Sequence, residues 1–482
     1  MTRSSVLHIS AAEGGGADRY IRDLAANTPR PHFLWHVGSG IDVIEDLAAH
    51  RFSPLSARIE NAEAAPALHA WLRKSGIGII HLHGLGAACR SRLALVRRTA
   101  PTPWMITLHD LTFVDPNAFS VHALQPDAAW IAELAATLAD AVAAIAPSRF
   151  VQKLASQHFP RLPCTVVAPG IDLSRAGTRA RAPEEFVTQR PKQVVAVVGA
   201  LGPHKGSALL DPLADRLANT DVGIVVIGYT DSQLLRGWRV PGHCYVHGPY
   251  LDADLPALLE AYRVELALFP NRLPESFSYT LSEVWAAGIP VIVPEDGALL
   301  ERVSQHGGGW ILPAGFSAED AALLLQRLLA PAGAVERARV KSRIDRHDAS
   351  RIPTLAAMAR DIDALYERFG LKPPSGESPA AASEALRPLL AANLDGFAFR
   401  KELLKFADEA AQLRAGTSKL ECDIHEAQAW ARKLEHDVEA LAAEGKALFE
   451  ENRRLADDKA AFDQLPRLIR KLLLKKALRA RG

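Results

Sequence analysis

Cysteine is scarce in this chain. Four occur in 482 residues (Cys89, Cys164, Cys244 and Cys422), and no two lie close enough in sequence to make a metal or redox pair. A disulfide scaffold is not expected at this length, and a reducing cytoplasm fits better. The histidines show no zinc-like spacing, and no metal and no cofactor is expected. Long apolar runs are also missing. None approaches the roughly 20 residues that span a bilayer, and the apolar part of the opening MTRSSVLHIS is too short for a signal peptide. The expectation is a cytoplasmic chain unless something anchors it. Nor is there an excess of either charge. Lys and Arg total 56 against 55 Asp and Glu, a net charge of +1, which argues against a nucleic-acid binder with a wholly basic surface. What the chain has is apolar residues, 48% of the total, enough for the cores of two or three domains.

Short apolar runs alternate with helical patterns through the first 370 residues. SVLHIS, GIGIIHLH, PWMITLHD, DAVAAIAPS and CTVVAPG read as strands in the first half. QVVAVVGA, VGIVVIG, CYVHG, LALFP and IPVIVP do so in the second. Continuous apolar strands set between helices indicate parallel sheets covered on both faces. The polar, proline-bearing stretch around 176–190 reads as a linker. The expected fold class is therefore α/β, with two doubly wound Rossmann-like domains, 1–175 and 191–370, facing a cleft. IPTLAAMARDIDALYERFG reads as a closing helix ended by Gly370.

Composition changes after that. Residues 371–398 begin with LKPPSGESPAAASEA, which reads as a flexible linker. In 399–464, Leu413, Leu420, Ala427, Leu434, Leu441, Leu448 and Leu455 recur every seven residues. That is the seam of a coiled coil, and Asn452 at a seam position favours a homodimer, with a partner protein as the other possibility. Residues 465–482 carry Arg467, Arg470, Lys471, Lys475, Lys476, Arg479 and Arg481 with no acid. A basic amphipathic tail of this kind suits an anionic membrane surface.

The chemistry concentrates in PESFSYTLSEVWAAGIPVIVP, residues 274–294. Glu275 lies in a loop that enters a helix, and Glu283 lies two turns later, inside the helical pattern. In parallel α/β sheets ligands bind where strands end and helices begin. A helix N-terminus suits a phosphate, and a carboxylate suits a sugar diol. A nucleotide sugar offers both. The pair of glutamates separated by seven residues resembles that of the retaining GT-B glycosyltransferases, family-4 type, particularly those of bacterial surface polysaccharide assembly. The resemblance covers residues 1 to about 370. It implies that Glu275 contacts the transferred sugar and Glu283 the ribose, and that backbone amides of Phe277, Ser278, Tyr279 and Thr280 hold the phosphates. The family often has glycine where Ser278 stands. VVGALGPHKG resembles the family's phosphate loop, with Lys205 as its lysine, but Ala200 stands where an arginine is usual. His204 or Arg272 is expected to substitute. Gly15 and Gly16 match the glycine pair of the first loop, whose lack of a Cβ allows close approach to a ligand. His109, in ITLHD, matches a residue near the transferred sugar. His81 and His83, in HLHGL, are expected to line the cleft or cap a strand.

The resemblance implies a retaining, metal-independent hexosyltransferase acting from a nucleotide-sugar donor on a glycan, with Lys205, Glu275 and His109 catalytic. With the basic tail, a lipid-linked acceptor at the inner face of the cytoplasmic membrane follows. Two other readings fit the same fold: a nucleotide-sugar epimerase, and a non-catalytic nucleotide-sugar-binding scaffold acting through its coiled coil.

Overall fold

The computed structural model contains two mainly parallel sheets, most of whose strands are the apolar runs of the sequence. The described residues are 3–390, except 13, 39–41, 120–123, 173–179, 234–235, 345–351 and 373–378, together with 450 and 454. Apart from those last two positions, the expected coiled coil and basic tail lie outside the described residues.

The first sheet has eight strands. They are β1 (Ser5–Ser10), β2 (His32–His36), β3 (Val43–Asp46), β4 (Arg51–Pro54), β5 (Ile77–Leu82), β6 (Trp104–Thr107), β7 (Ala143–Ala146) and β8 (Cys164–Val166). Their order is β4-β3-β2-β1-β5-β6-β7-β8. All neighbours run parallel except at β3 and β4, which pair antiparallel at the edge. The second sheet has seven: β9 (Gln193–Leu201), β10 (Val222–Thr230), β11 (Gly237–Val240), β12 (Cys244–Gly248), β13 (Val264–Leu268), β14 (Val291–Pro294) and β15 (Gly309–Leu312). Their order is β11-β12-β10-β9-β13-β14-β15, parallel except for edge strand β11. Both are doubly wound. The chain leaves the sheet centre in one direction, then returns and builds outward in the other. That reversal falls between β1 and β5 in the first sheet and between β9 and β13 in the second. Crevices open at such points, outside the carboxyl ends of the strands.

Each sheet buries both faces. Leu7, Ile9, Ile80 and Ile106 pack on one side of the first sheet, and Val6, Ile79 and Met105 on the other. This is the period-2 alternation of strands covered on both sides. Each such side chain contributes about 1.5–3 kcal/mol when fully buried.

Three segments pack differently from their sequence assignment. The helix Leu355–Phe369 is capped by Thr354, whose side chain accepts from the Ala357 amide, and Gly370 follows it. Its buried face is Leu355, Met358, Ala359, Ile362 and Tyr366, and this face enters the core of the first sheet, not the second. The chain thus crosses back before 370. The interdomain stretch carries a short helix, Glu184–Thr188, because Phe186 is apolar and packs fully buried against Trp238, Tyr245 and Tyr262. Within the stretch expected to be a flexible linker, 373–378 and 391–398 lie outside the described residues, while Pro379–Leu386 forms a helix. Its Ala382, Ala385, Leu386 and Leu389 fall at helical spacing and are buried, and the helix packs on Ala65–Lys74.

Candidate active site

Two loops meet at the reversal point of the second sheet. The loop after β9 carries Lys205, and the loop after β13 carries Glu275. Gly206 (φ 82°) lets them approach, since a Cβ there would lie 2.0 Å from the Pro270 carbonyl oxygen. The amides of Arg272 and Leu273 donate to the His204 carbonyl at 2.9 and 3.1 Å, stitching the loops together. As a result Lys205 Nζ lies 3.5 Å from Glu275 Oε1, which also accepts from Asn271 Nδ2 at 2.8 Å. Lys205, Asn271, Glu275 and Thr280 line one small open recess.

Behind Glu275 starts the helix Tyr279–Ala286. Ser278 caps it, its hydroxyl accepting from the Leu281 amide at 3.3 Å. Ser278 has φ 75°, a left-handed conformation that costs a residue with a Cβ about 1–2 kcal/mol. This accounts for the glycine common there in the resembling family. Arg302, from the helix Gly297–His306, holds the turn from below. It donates to the carbonyls of Phe277 (3.3 Å) and Ser278 (2.9 Å) and to the Ser282 hydroxyl (2.7 Å). Burial lowers its pKa to about 9. A trans peptide points its N–H opposite its carbonyl, so the amides of Ser278 and Tyr279 face away from Arg302. They belong to the helix end, where N–H groups lack intrahelical partners.

Glu283 lies one turn beyond Thr280 on the same helix and is 9% exposed. It accepts from Arg19 at 2.6 Å. Arg19 comes from the helix Gly15–Asn27 of the other half; it also reaches Asp252 at 3.0 Å and stacks 4.5 Å from the centre of the Tyr279 ring. Burial opposes its charge, but Glu283 and then Asp252 outweigh that and raise its proton affinity. Gly16 faces the same ring, a Cβ there lying 3.6 Å from its edge, while Gly15 has φ 71°. Gly16 and Tyr279 therefore meet between the halves. Burial raises the Tyr279 hydroxyl well above the usual phenol range.

His109 also meets the second half. Its carbonyl accepts from the Ser276 hydroxyl at 2.5 Å, beside Glu275, and burial lowers its pKa to about 3. The ring is thus neutral at pH 7. His83 donates to or accepts from it at 2.9 Å. His81 is fully buried between Tyr366 and Thr107, deeper than a cleft-lining residue.

The two substitutes for the missing arginine differ. Ala200 is exposed. His204 adjoins Lys205, but burial, then Lys205 itself, lower its pKa, with Glu275 opposing. It is neutral at pH 7 and available as a hydrogen-bond donor. Arg272 is engaged elsewhere: it donates to the Phe316 carbonyl at 2.6 Å and stacks on that ring at 4.6 Å. Arg19 and Arg302 were not legible as site residues, because each acts on a partner more than 20 positions away or in the opposite half.

Comparison with known proteins points to one family. The model described as Glycosyltransferase Family 4 matches residues 14–175, and the one described as Glycosyl transferases group 1 matches 179–344. A GDP-mannose-dependent alpha-mannosyltransferase of Mycobacterium tuberculosis is 29% identical over 176 residues, 36% of this chain and 44% of that protein. The chain thus spans less than half the length of that relative. A phosphatidyl-myo-inositol mannosyltransferase of Mycobacterium leprae is 27% identical over 286 residues, 57% of this chain and 71% of that protein. In fold, the chain is similar to Anabaena HepE, solved in complex with UDP and glucose. The TM-score is 0.55 at 16% identity, covering 76% of this chain and 100% of that one. With two family models that between them take in more than half its length, and with two Rossmann-like sheets arranged as in its structural neighbours, the chain belongs to the group 1 glycosyltransferases of the GT-B fold.

Proposed function

We propose that the protein transfers a sugar, with retention, from a nucleoside-diphosphate sugar to a glycan acceptor, without a metal. The carrying observation is the meeting of Lys205 and Glu275, 3.5 Å apart, at the reversal point of the second sheet, beside a helix N-terminus whose first amides face away from Arg302. The UDP complex of HepE and the GDP-mannose dependence of the tuberculosis relative support a nucleoside diphosphate as the leaving group.

In this reading the diphosphate lies on the amides of Ser278, Tyr279 and Thr280 and on Lys205, with His204 as a neutral donor. Glu275 binds hydroxyls of the transferred sugar. Glu283 takes the ribose diol, exchanging or sharing the contact it has with Arg19. The acceptor hydroxyl attacks from the same face that the diphosphate leaves, and the leaving phosphate takes its proton. Lys205 and the helix amides are stronger partners for the leaving diphosphate than for the bound donor, which is what lowers a barrier. Gly15, Gly16 and His109 complete the site from the other half and exclude water.

The acceptor is lipid-linked in this proposal, held near an anionic membrane by residues 465–482, while 399–464 pairs two copies or docks a partner. No helix among the described residues is long and apolar enough to cross a membrane. Deletion of 465–482 is expected to abolish sedimentation with anionic vesicles; unchanged sedimentation refutes the anchor. The test of the reaction itself is product analysis by NMR with a panel of nucleotide sugars and chelator present. A retained anomeric configuration supports the proposal. Inversion, a requirement for divalent metal, or epimerised donor without transfer would each overturn the corresponding part.

A further inference from the structure

Five histidines meet beneath the helix Gly15–Asn27. His8 is on β1, His32 opens β2, His81 is on β5, His83 follows β5 and His109 follows β6. Register sets His8 beside His81. Strand alternation then puts His8, His81 and Thr107 on the same face as Val6, Ile79 and Met105, under a layer that includes Tyr20 and Tyr366. A polar row is thus embedded in an otherwise apolar core, which is costly unless every group is bonded.

The bonding is directional. His109 Nε2 is 2.9 Å from His83 Nδ1. His83 Nε2 is 2.8 Å from His8 Nδ1. His8 Nε2 is 2.7 Å from His32 Nδ1. His32 Nε2 is 2.5 Å from Thr28 Oγ1. Every link joins the Nε2 of one ring to the Nδ1 of the next. The row begins at the ring of His109, a half-buried residue whose backbone carbonyl accepts from Ser276, and ends at Thr28, a half-buried residue at the end of the first helix. His81 stands outside it, bonded to Tyr366 at 2.6 Å and Thr107 at 2.7 Å. The charged groups nearest the far end, Arg30 and Asp363, are paired with each other. Burial lowers the pKa of all four chain rings, to about 3 for His32 and His109. At neutral pH each ring therefore has one N–H and one lone pair. Two nitrogens bond only as one of each, so the tautomer of one ring dictates those of its neighbours.

We propose that His109, His83, His8 and His32 form one tautomer-coupled chain that sets whether Nδ1 of His109 presents a hydrogen or a lone pair, with Thr28 as its link to solvent. The functional consequence rests on the reading above that His109 faces the bound sugar. In one state every Nε2 carries its hydrogen and His109 Nδ1 accepts. In the other every Nδ1 carries it and His109 Nδ1 donates. The states interconvert without charging any ring. A proton arrives at His109 Nδ1, each Nε2–H passes to the next Nδ1, the His32 Nε2–H passes to Thr28 Oγ1, and the threonine's own hydrogen leaves to water. One proton enters and one leaves; the reverse shift delivers one to the cleft. His83, His8 and His32 are thus positioning residues for His109. The competing occupant is a metal, since one nitrogen each of His8, His81 and His83 lie within 4.8 Å of one another. Against it, both nitrogens of His8 and of His81 already have partners, and the group contains no carboxylate to offset a buried dication.

The experiment is 15N–1H spectroscopy of the imidazoles in the full chain labelled at histidine, without donor or acceptor, so its outcome is independent of whether the transfer reading holds. All four chain rings are expected to share one tautomer. Thr28→Val, at the solvent end, is expected to shift the signals of His83 and His109 as well as His32, and Thr28→Ser to restore the wild-type pattern. Mixed tautomers among the four rings, a shift confined to His32, or one transition-metal ion per chain by elemental analysis would overturn the proposal.

Discussion

The two halves present the same kind of crevice to the cleft and fill it with opposite chemistry. At the β9/β13 reversal the loops supply full charges, Lys205 and Glu275, partly open to water, with Glu283 one turn further in. At the β1/β5 reversal and the end of β6, the chain supplies glycine backbone and buried neutral rings, His83 and His109. In the proposed reaction this contrast follows from what each side must hold. A leaving diphosphate has fixed negative charge and needs fixed positive charge to meet it. Sugar hydroxyls donate and accept, and a neutral imidazole does both.

The largest effect is expected on the neutral half. Five histidines have folded pKa values below the 6.5 of an exposed ring. Below that pH the unfolded chain binds protons that the folded chain refuses. Stability is therefore complete above about pH 6.5 and falls as the pH falls, by roughly 1–1.5 kcal/mol per ring per pH unit. Against a total of about 5–15 kcal/mol, unfolding of the first sheet is expected near pH 5, read by near-ultraviolet circular dichroism. A fold intact at pH 4 would erase the contrast between the halves.

On the charged half, Lys205→Ala is expected to lower kcat by about 10²–10³-fold, the usual loss for one group stabilising developing charge. Glu283→Ala is expected to act on binding instead. Losing a charge-assisted hydrogen bond to the ribose costs about 1.5–3 kcal/mol, so KM for the donor should rise tenfold or more with kcat changed less. If the two variants showed the same split between kcat and KM, the separate roles would be lost. The smallest effect concerns the turn that carries the amides. Ser278→Gly and Ser278→Ala both remove the cap, but only glycine relieves φ 75°. The glycine variant should be more stable than the alanine variant by about 1 kcal/mol in urea unfolding.

Strand patterning made most of both sheets legible. The exceptions are instructive. HFLWH begins and ends in histidine, and VIED and RFSP are charged or polar, so β2, β3 and β4 lack the continuous apolar signature. β11 and β15 are four-residue edge strands. Glu275 and Glu283 were visible because their spacing straddles a loop and a helix. Arg302 was not, since its role depends on carbonyls 24 and 25 positions away. The His8–His32 link was likewise invisible, because it is made across strands and each histidine alone looks like an ordinary core residue. Helix 355–369 was predicted with its correct end, but an amphipathic face does not say which sheet it will cover.

The most direct test of the central claim, that Lys205 and Glu275 together hold an activated sugar, is thermal unfolding of the full chain against a panel of nucleotide sugars. A ligand that binds only the folded state raises Tm. At least one nucleotide sugar is expected to raise the Tm of the wild type, with the rise abolished in Glu275→Ala and only partly reduced in Lys205→Ala, whose larger effect is on kcat. An equal rise in all three proteins, or no rise with any nucleotide sugar, would contradict it.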